Sequence, residues 1–220
     1  MPSPRAAFES QLRELDESLL TMGKEAEGVL ENALQALAER NVGLANQTIS
    51  RDDVVDRMRF DIEARCMELI ATQQPAARDL RRIFAAISIA SDVERVADYS
   101  VDICLTAKRL ADRPLFKPLV DIPRMEQMVV RMLKESLDGF VSRDLSLVEG
   151  MIKDDDQVDH LYHYLHDELC LFMKKDPGLV DQAVQLLLIA RYLERIADHI
   201  TNIGERVYYV ETGELKELHQ

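Results

Sequence analysis

The sequence predicts an all-α protein made of two tandem, pseudo-symmetric three-helix bundles, with six long helices in total. Residues that interrupt helices are scarce, since the 220 residues include only 8 Gly and 7 Pro. Apolar residues recur at steps of three and four over long stretches, as they do on one face of a helix. A Glu-Arg-x-Ala-Asp signature occurs at Glu94 and again at Glu194, 100 positions later. Repetition at a fixed spacing indicates two copies of one structural unit.

The first half contains three predicted helices. The first extends from about Phe8 to Glu39 and ends at a break over 41–43. The second extends from Leu44 to about Ala71, where Gln73-Gln74-Pro75 ends it. The third begins near Ala76, contains the first signature and continues to Leu110. Three amphipathic helices bury their apolar faces most simply as an antiparallel bundle.

The second half repeats this plan after a segment rich in proline. We place the boundary between residues 1–113 and 114–220, because Pro114, Pro118 and Pro123 cluster there. Matching residues lie 103 positions apart through the first two helices and 100 apart at the signature, so the first half has three extra residues in its second turn. The matched pairs include Met22 with Met125, Leu30 with Leu133, and Arg40 with Arg143.

Charge and composition exclude several classes of protein. The net charge of -13 argues against nucleic-acid binding, which needs a positive surface, and the excess of carboxylates suits hard cations. Cys66, Cys104 and Cys170 form no metal-binding or redox motif and are expected to be apolar filling in a reducing compartment. The chain has no apolar signal region and no run long enough to span a bilayer. We therefore expect a cytoplasmic protein.

Acidic residues at helical spacing follow one line of the third helix. Glu94, Asp98 and Asp102 are four residues apart, so they share a face. That line is apolar elsewhere, at Ile83 and Ile87. Carboxylates in such a position are half-buried and repel one another unless something compensates them.

The second helix of each half adds an acidic pair. Asp52 and Asp56 belong to the first half, and an antiparallel neighbour would bring them against the stripe on the third helix. The negative charge of these carboxylates can be compensated in two ways, and both remain open. One is a bound cation with oxygen ligands, and the other is a set of ion pairs with arginines such as Arg59, Arg78, Arg81 and Arg95. The candidate ligands for a cation are Asp52, Asp56, Glu94, Asp98 and Asp102 in the first half, and Asp155, Asp159, Glu194 and Asp198 in the second.

Other candidate sites are weaker. His160, His163 and His166 lie on the second helix of the second half, and one imidazole there is a possible metal ligand. No glycine-rich phosphate loop and no nucleophile motif is present. A carboxylate-bridged, metal-dependent enzyme in a helical bundle is an alternative, but such enzymes use Glu-x-x-His, which the chain lacks. A metal-free structural scaffold is the other alternative.

These residues resemble those of the PhoU family of phosphate transport accessory proteins. The resemblance covers nearly the whole chain and includes 15–23, both signatures, Arg78-Asp79-Leu80-Arg81 and the closing Glu205-Arg206-Val207. It implies two three-helix bundles, a cytoplasmic homodimer and no enzymatic activity. It also implies metal ions (Mg, Mn, Fe or Zn) on paired E(D)xxxD motifs, which fall on Asp52/Asp56, Glu94/Asp98, Asp155/Asp159 and Glu194/Asp198.

The resemblance further implies a regulatory role. Members of the family link the phosphate ABC transporter, through its ATPase subunit, to a sensor histidine kinase, and they repress the phosphate-starvation regulon and restrain phosphate uptake. The second half departs from the first at Asn202, which replaces the acid of Asp102, and at Pro177-Gly178-Leu179-Val180, which replaces Arg78-Asp79-Leu80-Arg81. An amide adds no charge, so we expect the second site to bind metal more weakly.

Overall fold

The computed structural model describes residues 4–218, which are almost entirely helical. Within this range six long helices are present, as predicted, together with one short helix and one 3-10 turn. In chain order the elements are α1 (Pro4–Glu39), α2 (Val42–Ile49), α3 (Asp52–Gln73), α4 (Ala77–Leu110), α5 (Asp121–Ser142), α6 (Leu145–Lys175), a 3-10 turn (Pro177–Leu179) and α7 (Val180–Thr212). No strand occurs among the described residues. None of these helices is apolar and long enough to cross a membrane.

The turn after the first helix is built in the same way in both halves. Arg40 and Arg143, 103 residues apart, both adopt left-handed backbone conformations, with φ of 53° and 64°. The next residue caps the following helix in each case. The Asn41 side chain accepts a hydrogen bond from the Leu44 N–H at 3.0 Å, and the Asp144 side chain accepts one from the Ser146 N–H at 2.9 Å. The pseudo-symmetry seen in the sequence therefore extends to the turn geometry.

The prediction of one continuous second helix in the first half was wrong. The structure divides that stretch into α2 and α3 at Ser50 and Arg51, whereas the equivalent α6 is uninterrupted. The Ser50 hydroxyl donates to the Asn46 carbonyl at 3.1 Å, and the Arg51 N–H donates to the Thr48 carbonyl at 3.0 Å. The Arg51 N–H thus bonds three residues back instead of four, which interrupts the α-helical pattern at that point.

The two halves meet where α4 packs along α7, the most extensive contact between helices in the described part of the chain. Asp92 on α4 accepts hydrogen bonds from His199 Nδ1 at 3.0 Å and from Asn202 Nδ2 at 3.3 Å, both on α7. The Tyr99 and Tyr192 rings contact each other across the same interface, with centroids 6.0 Å apart. The predicted boundary at 113/114 falls in the segment between α4 and α5 and stays a prediction.

The halves differ at their first helices. In the first half α1 extends back to residue 4, and Asp16 forms a buried ion pair with Arg82 of α4. In the second half the segment before α5 is not helical. There Gln182, at the position equivalent to Arg82, accepts from the Phe116 N–H at 2.7 Å and donates to the Pro114 carbonyl at 2.9 Å. A buried charge pair in one half is thus replaced by neutral hydrogen bonds in the other.

Apolar side chains from all six long helices form the core, and they include two of the cysteines. Cys66 and Cys104 are buried, and burial raises the pKa of each thiol to about 12. A thiol with so high a pKa is protonated and unreactive at neutral pH. Both behave as the apolar filling that the sequence predicts, whereas Cys170 is partly exposed.

The half-buried Glu126 carboxyl opposes folding near neutral pH. Burial, and to a lesser extent the nearby Glu31 carboxylate, raises the pKa of Glu126 from 4.5 to about 7. The folded state therefore keeps a proton that the unfolded state releases, so stability falls as pH rises from about 4.5 to 7. Glu126→Gln is expected to raise the free energy of unfolding by about 2 kcal/mol at pH 8 and by little at pH 4.

Urea denaturation at the two pH values measures this effect. Glu31→Gln, on the exposed side of the same contact, is the matched control and should change stability by less than about 1 kcal/mol. An equal gain for both variants, or a gain for Glu126→Gln that does not depend on pH, would contradict the account.

Candidate metal centres

Carboxylates from α3 and α4 converge in the first half, as the sequence predicts. Burial, followed by the negative charges of Asp98, Asp56 and Glu94, raises the pKa of Asp52 from 3.8 to about 6. These groups act on one another only because the two antiparallel helices bring them close together. Asp52 Oδ1 is buried and has no hydrogen-bond partner among the described residues. An unsatisfied anionic oxygen among other carboxylates favours a cation.

Arginines compensate part of this charge. Burial, Asp98 and Asp56 raise the pKa of Glu94, while Arg95 and Arg59 lower it. Arg59 Nε lies 3.6 Å from Glu94 Oε1, and Arg95 Nη1 lies 2.7 Å from Asp98 Oδ2. Of the arginines proposed for this role, Arg59 and Arg95 therefore form ion pairs with the cluster, whereas Arg78 pairs with Glu211 instead. They leave Asp52 without a cationic partner among residues 4–218.

Asp102 occupies a different position from the other acids of the stripe. Burial and the Asp98 charge raise its pKa, which shows that it still belongs to the electrostatic group. Asp102 also contributes to the raised pKa of Tyr192 on α7, after burial of that phenol. The carboxyl thus lies at the edge of the cluster, towards the interface between the two halves.

The second half brings together the equivalent groups on α6 and α7. Burial and Asp198 raise the pKa of Asp159, while His163 and His160 lower it. Burial and Asp198 also raise the pKa of Glu194, and Asp159 contributes to the same shift. Asp155 is buried on the same helix as Asp159. The predicted neighbours of the second site are therefore close to one another as well.

The second site differs from the first in exposure and in its partners. Asp159 is exposed, whereas its counterpart Asp56 is half-buried. Arg191 forms a close ion pair with Glu194, whereas in the first half Arg59 Nε lies 3.6 Å from Glu94 Oε1. Asn202 donates to Asp92 at 3.3 Å and so is engaged outside the cluster. Each difference lowers the local negative charge or adds solvent, which fits weaker cation binding in this half.

The histidines of α6 separate in the structure. His163 and His160 influence Asp159, whereas His166 lies 3.1 Å from Asp167 and 3.9 Å from the Cys170 sulfur. Only the first two are close to the acidic group. Sequence reasoning missed Arg191 as an ion-pair partner of Glu194, although their spacing of three residues on a helix was a usable signal.

The carboxylates gather without forming a preassembled coordination sphere. Within residues 4–218, no group of three or more His, Cys, Asp or Glu side chains has an arrangement that would hold a metal ion. The residues nevertheless fit a hard cation, because all donors are oxygens, several are half-buried, and Asp52 carries an unsatisfied oxygen. Metal binding on these nine residues therefore stays a prediction.

Neutralising Asp52 is expected to stabilise the metal-free protein. The raised folded-state pKa of about 6 means that stability falls as pH rises from about 4 to 6, because the folded state then has to give up its proton. After allowance for solvent screening, Asp52→Asn should add roughly 1–2 kcal/mol of stability at pH 8 in the presence of a chelator, and little at pH 4.

Thermal denaturation across this pH range checks the expectation. Asp53→Asn, at the exposed neighbouring position, is the matched control and should change the pH profile much less than Asp52→Asn does, because Asp53 raises the pKa of Asp52 less than Asp98, Asp56 or Glu94 do. If Asp52→Asn destabilised the protein at pH 8, the negative charge of Asp52 would be stabilised by an interaction that is not seen in the structure, and the expectation would be wrong.

Comparisons with known proteins agree with this architecture. The family described as the PhoU domain matches residues 19–107 and 122–207, one copy in each half. A phosphate-specific transport system accessory protein PhoU homologue of Clostridium acetobutylicum is 40% identical over 97% of this chain and 98% of its own length. The homologue of Aquifex aeolicus is 39% identical over 93% of both chains.

Two solved structures share the fold. The crystal structure of PhoU from Pseudomonas aeruginosa superposes with a TM-score of 0.89 at 31% identity, covering 94% of this chain and all of that one. The phosphate transport system regulatory protein PhoU from Streptococcus pneumoniae gives 0.88 at 32% identity, covering 95% of this chain and 99% of that one.

Proposed function

This chain belongs to the PhoU family, and from that premise we propose that it is a cytoplasmic regulatory adaptor of phosphate homeostasis. As a member of the family it is an accessory protein of a phosphate transport system. We infer the finer role: it links the phosphate ABC transporter, through the ATPase subunit, to a sensor histidine kinase. In that role it represses the phosphate-starvation regulon and restrains phosphate uptake. It acts as a homodimer, without enzymatic activity and without contacting nucleic acid.

Matched exposed apolar surfaces support a role in protein binding. On the first half Phe60 and Met67 of α3 and Leu80 and Phe84 of α4 are exposed, with 57% of Phe60 and 54% of Phe84 accessible. The second half exposes the same type of surface through Tyr164 and Leu171 of α6 and Val180 and Val184 of α7. Val180 and Val184 lie 100 positions after Leu80 and Phe84. Large apolar side chains exposed in such groups mark contact surfaces for other proteins.

The acidic cluster and the exposed surface share an arginine. The Arg59 guanidinium lies 3.6 Å from Glu94 and stacks over the Phe60 ring, 4.2 Å from its centroid. In the second half a different arginine makes the comparable contacts: Arg191 of α7 pairs with Glu194 on the same helix and lies 5.6 Å from the centroid of the partly exposed Tyr162 ring of α6. The charge of each cluster is thereby linked to the position of an aromatic ring at or near the surface.

We propose that the clusters bind divalent or trivalent metal ions and that binding fixes the surface that partners contact. The observation that carries this proposal is the unsatisfied, half-buried Asp52 carboxyl among the acids of α3 and α4. A bound cation would supply the positive charge that the arginines supply only in part. The residues of the first site would be Asp52, Asp56, Glu94, Asp98 and Asp102. Those of the second would be Asp155, Asp159, Glu194 and Asp198.

A metal-free scaffold is the second candidate, because the observed ion pairs of Arg59, Arg95, Arg191 and Arg195 already compensate part of the charge. Elemental analysis of protein purified without a histidine tag separates the two. Stoichiometric metal that is lost in Asp52→Asn/Asp98→Asn protein supports the metal site. Metal-free protein that still restores regulation in cells supports the scaffold.

Deletion of the gene tests the regulatory role. Cells without the protein are expected to express phosphate-starvation genes and to take up phosphate rapidly even when phosphate is plentiful. Expression of the wild-type chain should restore repression, and a variant with Phe60→Ser/Phe84→Ser should restore less. Normal repression and uptake in the deletion strain would contradict the assignment.

A further inference from the structure

A cleft of about 750 Å³ lies between the two halves of the chain, and elements of both halves line it. The first half contributes the beginning of α1 and the beginning of α4. The second half contributes the turn between α5 and α6 and the end of α7. Its volume is in the range of small-molecule binding sites. The cleft is distinct from the acidic clusters, whose residues do not line it.

Arginine is the most frequent residue type in the lining of this cleft, although the chain carries a net charge of -13. Glu9, Asp16, Asp79 and Glu211 also line it, and no lysine does. Ion pairs join Arg5 to Asp79 at 2.7 Å, Arg78 to Glu211, and Arg82 to Asp16. The five arginines are Arg5, Arg13, Arg78, Arg82 and Arg143.

Arg13 and Arg143 remain without an ion pair among residues 4–218, although both line the cleft. Arg143 lies close enough to Asp16 to lower the pKa of that carboxyl, which places its guanidinium near the Arg82–Asp16 pair. Arg13 approaches from α1. Two guanidinium groups from different halves, neither of them held in a direct ion pair with a described residue, thus line one space. Guanidinium groups in this arrangement bind oxyanions with several acceptor oxygens.

We propose that this cleft binds the hydrogen phosphate ion. A dianion with several oxygens can accept hydrogen bonds from Arg13 and Arg143 together, whereas a carboxylate brings a single charge and two oxygens. The first backbone N–H groups of α4, which begins at the cleft with Ala77, favour the same charge.

The carboxylates of the lining favour hydrogen phosphate over sulfate. An O–H of hydrogen phosphate can donate to a carboxylate oxygen, whereas sulfate at neutral pH has no proton to donate and is repelled by the same group. Glu9, Asp16, Asp79 and Glu211 supply carboxylates to the lining. A lining that combines free arginines with acceptor carboxylates therefore recognises a protonated oxyanion.

This inference deepens the proposed function, because a phosphate ion held between the two halves would give the adaptor a direct signal. It also gives a role to the first two residues of the Arg78-Asp79-Leu80-Arg81 motif, which take no part in the acidic clusters. Arg78 and Asp79 both line the cleft. The second half lacks these residues, and its equivalent of Arg82 is the neutral Gln182. One such site is expected per chain.

Calorimetric titration of orthophosphate into the purified full-length chain, with a chelator present, tests the proposal. We expect saturable binding of one ion per chain that persists in an equal concentration of sulfate. Arg13→Gln/Arg143→Gln should weaken binding about tenfold or more, while removing no ion pair. Arg40→Gln is the matched control, because Arg40 has the same left-handed turn position in the other half and does not line the cleft.

Absence of saturable binding, equal competition by sulfate, or equal binding by the double variant would each overturn the proposal. These outcomes concern the purified protein alone. The regulatory assignment is measured in cells and is independent of them, since an adaptor can contact its partners without binding phosphate itself.

Discussion

Replacing Arg82 with leucine is expected to lower the free energy of unfolding by about 3–5 kcal/mol. Arg82 pairs with Asp16, and the two side chains are only 11% and 5% exposed. Burial already raises the pKa of Asp16, and Arg82 is the main group that opposes this shift. Without the guanidinium, Asp16 would be a buried carboxylate that must either stay charged or take up a proton, and both alternatives cost free energy.

Urea denaturation followed by circular dichroism at neutral pH measures the loss. Arg124→Leu is the matched control, because Arg124 is exposed and lies 3.9 Å from Asp121, so its loss should cost less than about 1 kcal/mol. The double variant Asp16→Leu/Arg82→Leu should recover most of the stability, since it leaves no buried charge. A cost below about 1 kcal/mol for Arg82→Leu would show that Asp16 is stabilised in some other way.

Metal ions are expected to stabilise the wild-type protein by about 2.7 kcal/mol when the free ion is at 100 times its dissociation constant. The physical reason is that the ion binds the gathered carboxylates of the folded state and finds no such group in the unfolded chain. Asp52→Asn/Asp98→Asn should lose most of this gain, because it removes the two charges that interact across α3 and α4.

Thermal denaturation with Mg, Mn, Fe or Zn added singly, against a chelated sample, measures this effect. Asp53→Asn should respond as the wild type does, since Asp53 is exposed. Asp159→Asn/Asp198→Asn should lose less than the first-half variant, because Asp159 is exposed and Asn202 is engaged by Asp92. Equal stability with metal and with chelator would contradict the metal sites.

Local sequence predicted the six long helices well, whereas the shared geometry of the first turn in each half was found only in the structure. Arg40-Asn41 and Arg143-Asp144 lie at equivalent positions, and both form the same left-handed turn and N-cap. The division of α2 from α3 escaped prediction, because it appears in the main-chain hydrogen bond of Arg51, which spans three residues instead of four, and not in the apolar periodicity. The helix propensity of the residues does not predict a single main-chain hydrogen bond of this kind.

The gathering of the acidic side chains was predictable because these residues follow helical spacing, while the metal site itself stays a prediction. Glu94 and Asp98 share a face of α4, and a neighbouring antiparallel helix had to bring Asp52 and Asp56 towards them. The arginine-lined cleft was not predictable in this way. Arg13, Arg143 and Glu211 are far apart in sequence, and only the packing of the two halves brings them to one space. The same holds for Asp92 and His199, which no motif connects.

Capture of the native protein from cells grown in high and in low phosphate, followed by mass spectrometry of what binds to it, tests the central claim most directly. We predict recovery of the phosphate transporter ATPase subunit and of a sensor histidine kinase, with recovery greater in high phosphate and reduced for Phe60→Ser/Phe84→Ser. Failure to recover either component under both conditions would contradict the assignment of this chain as the adaptor between them.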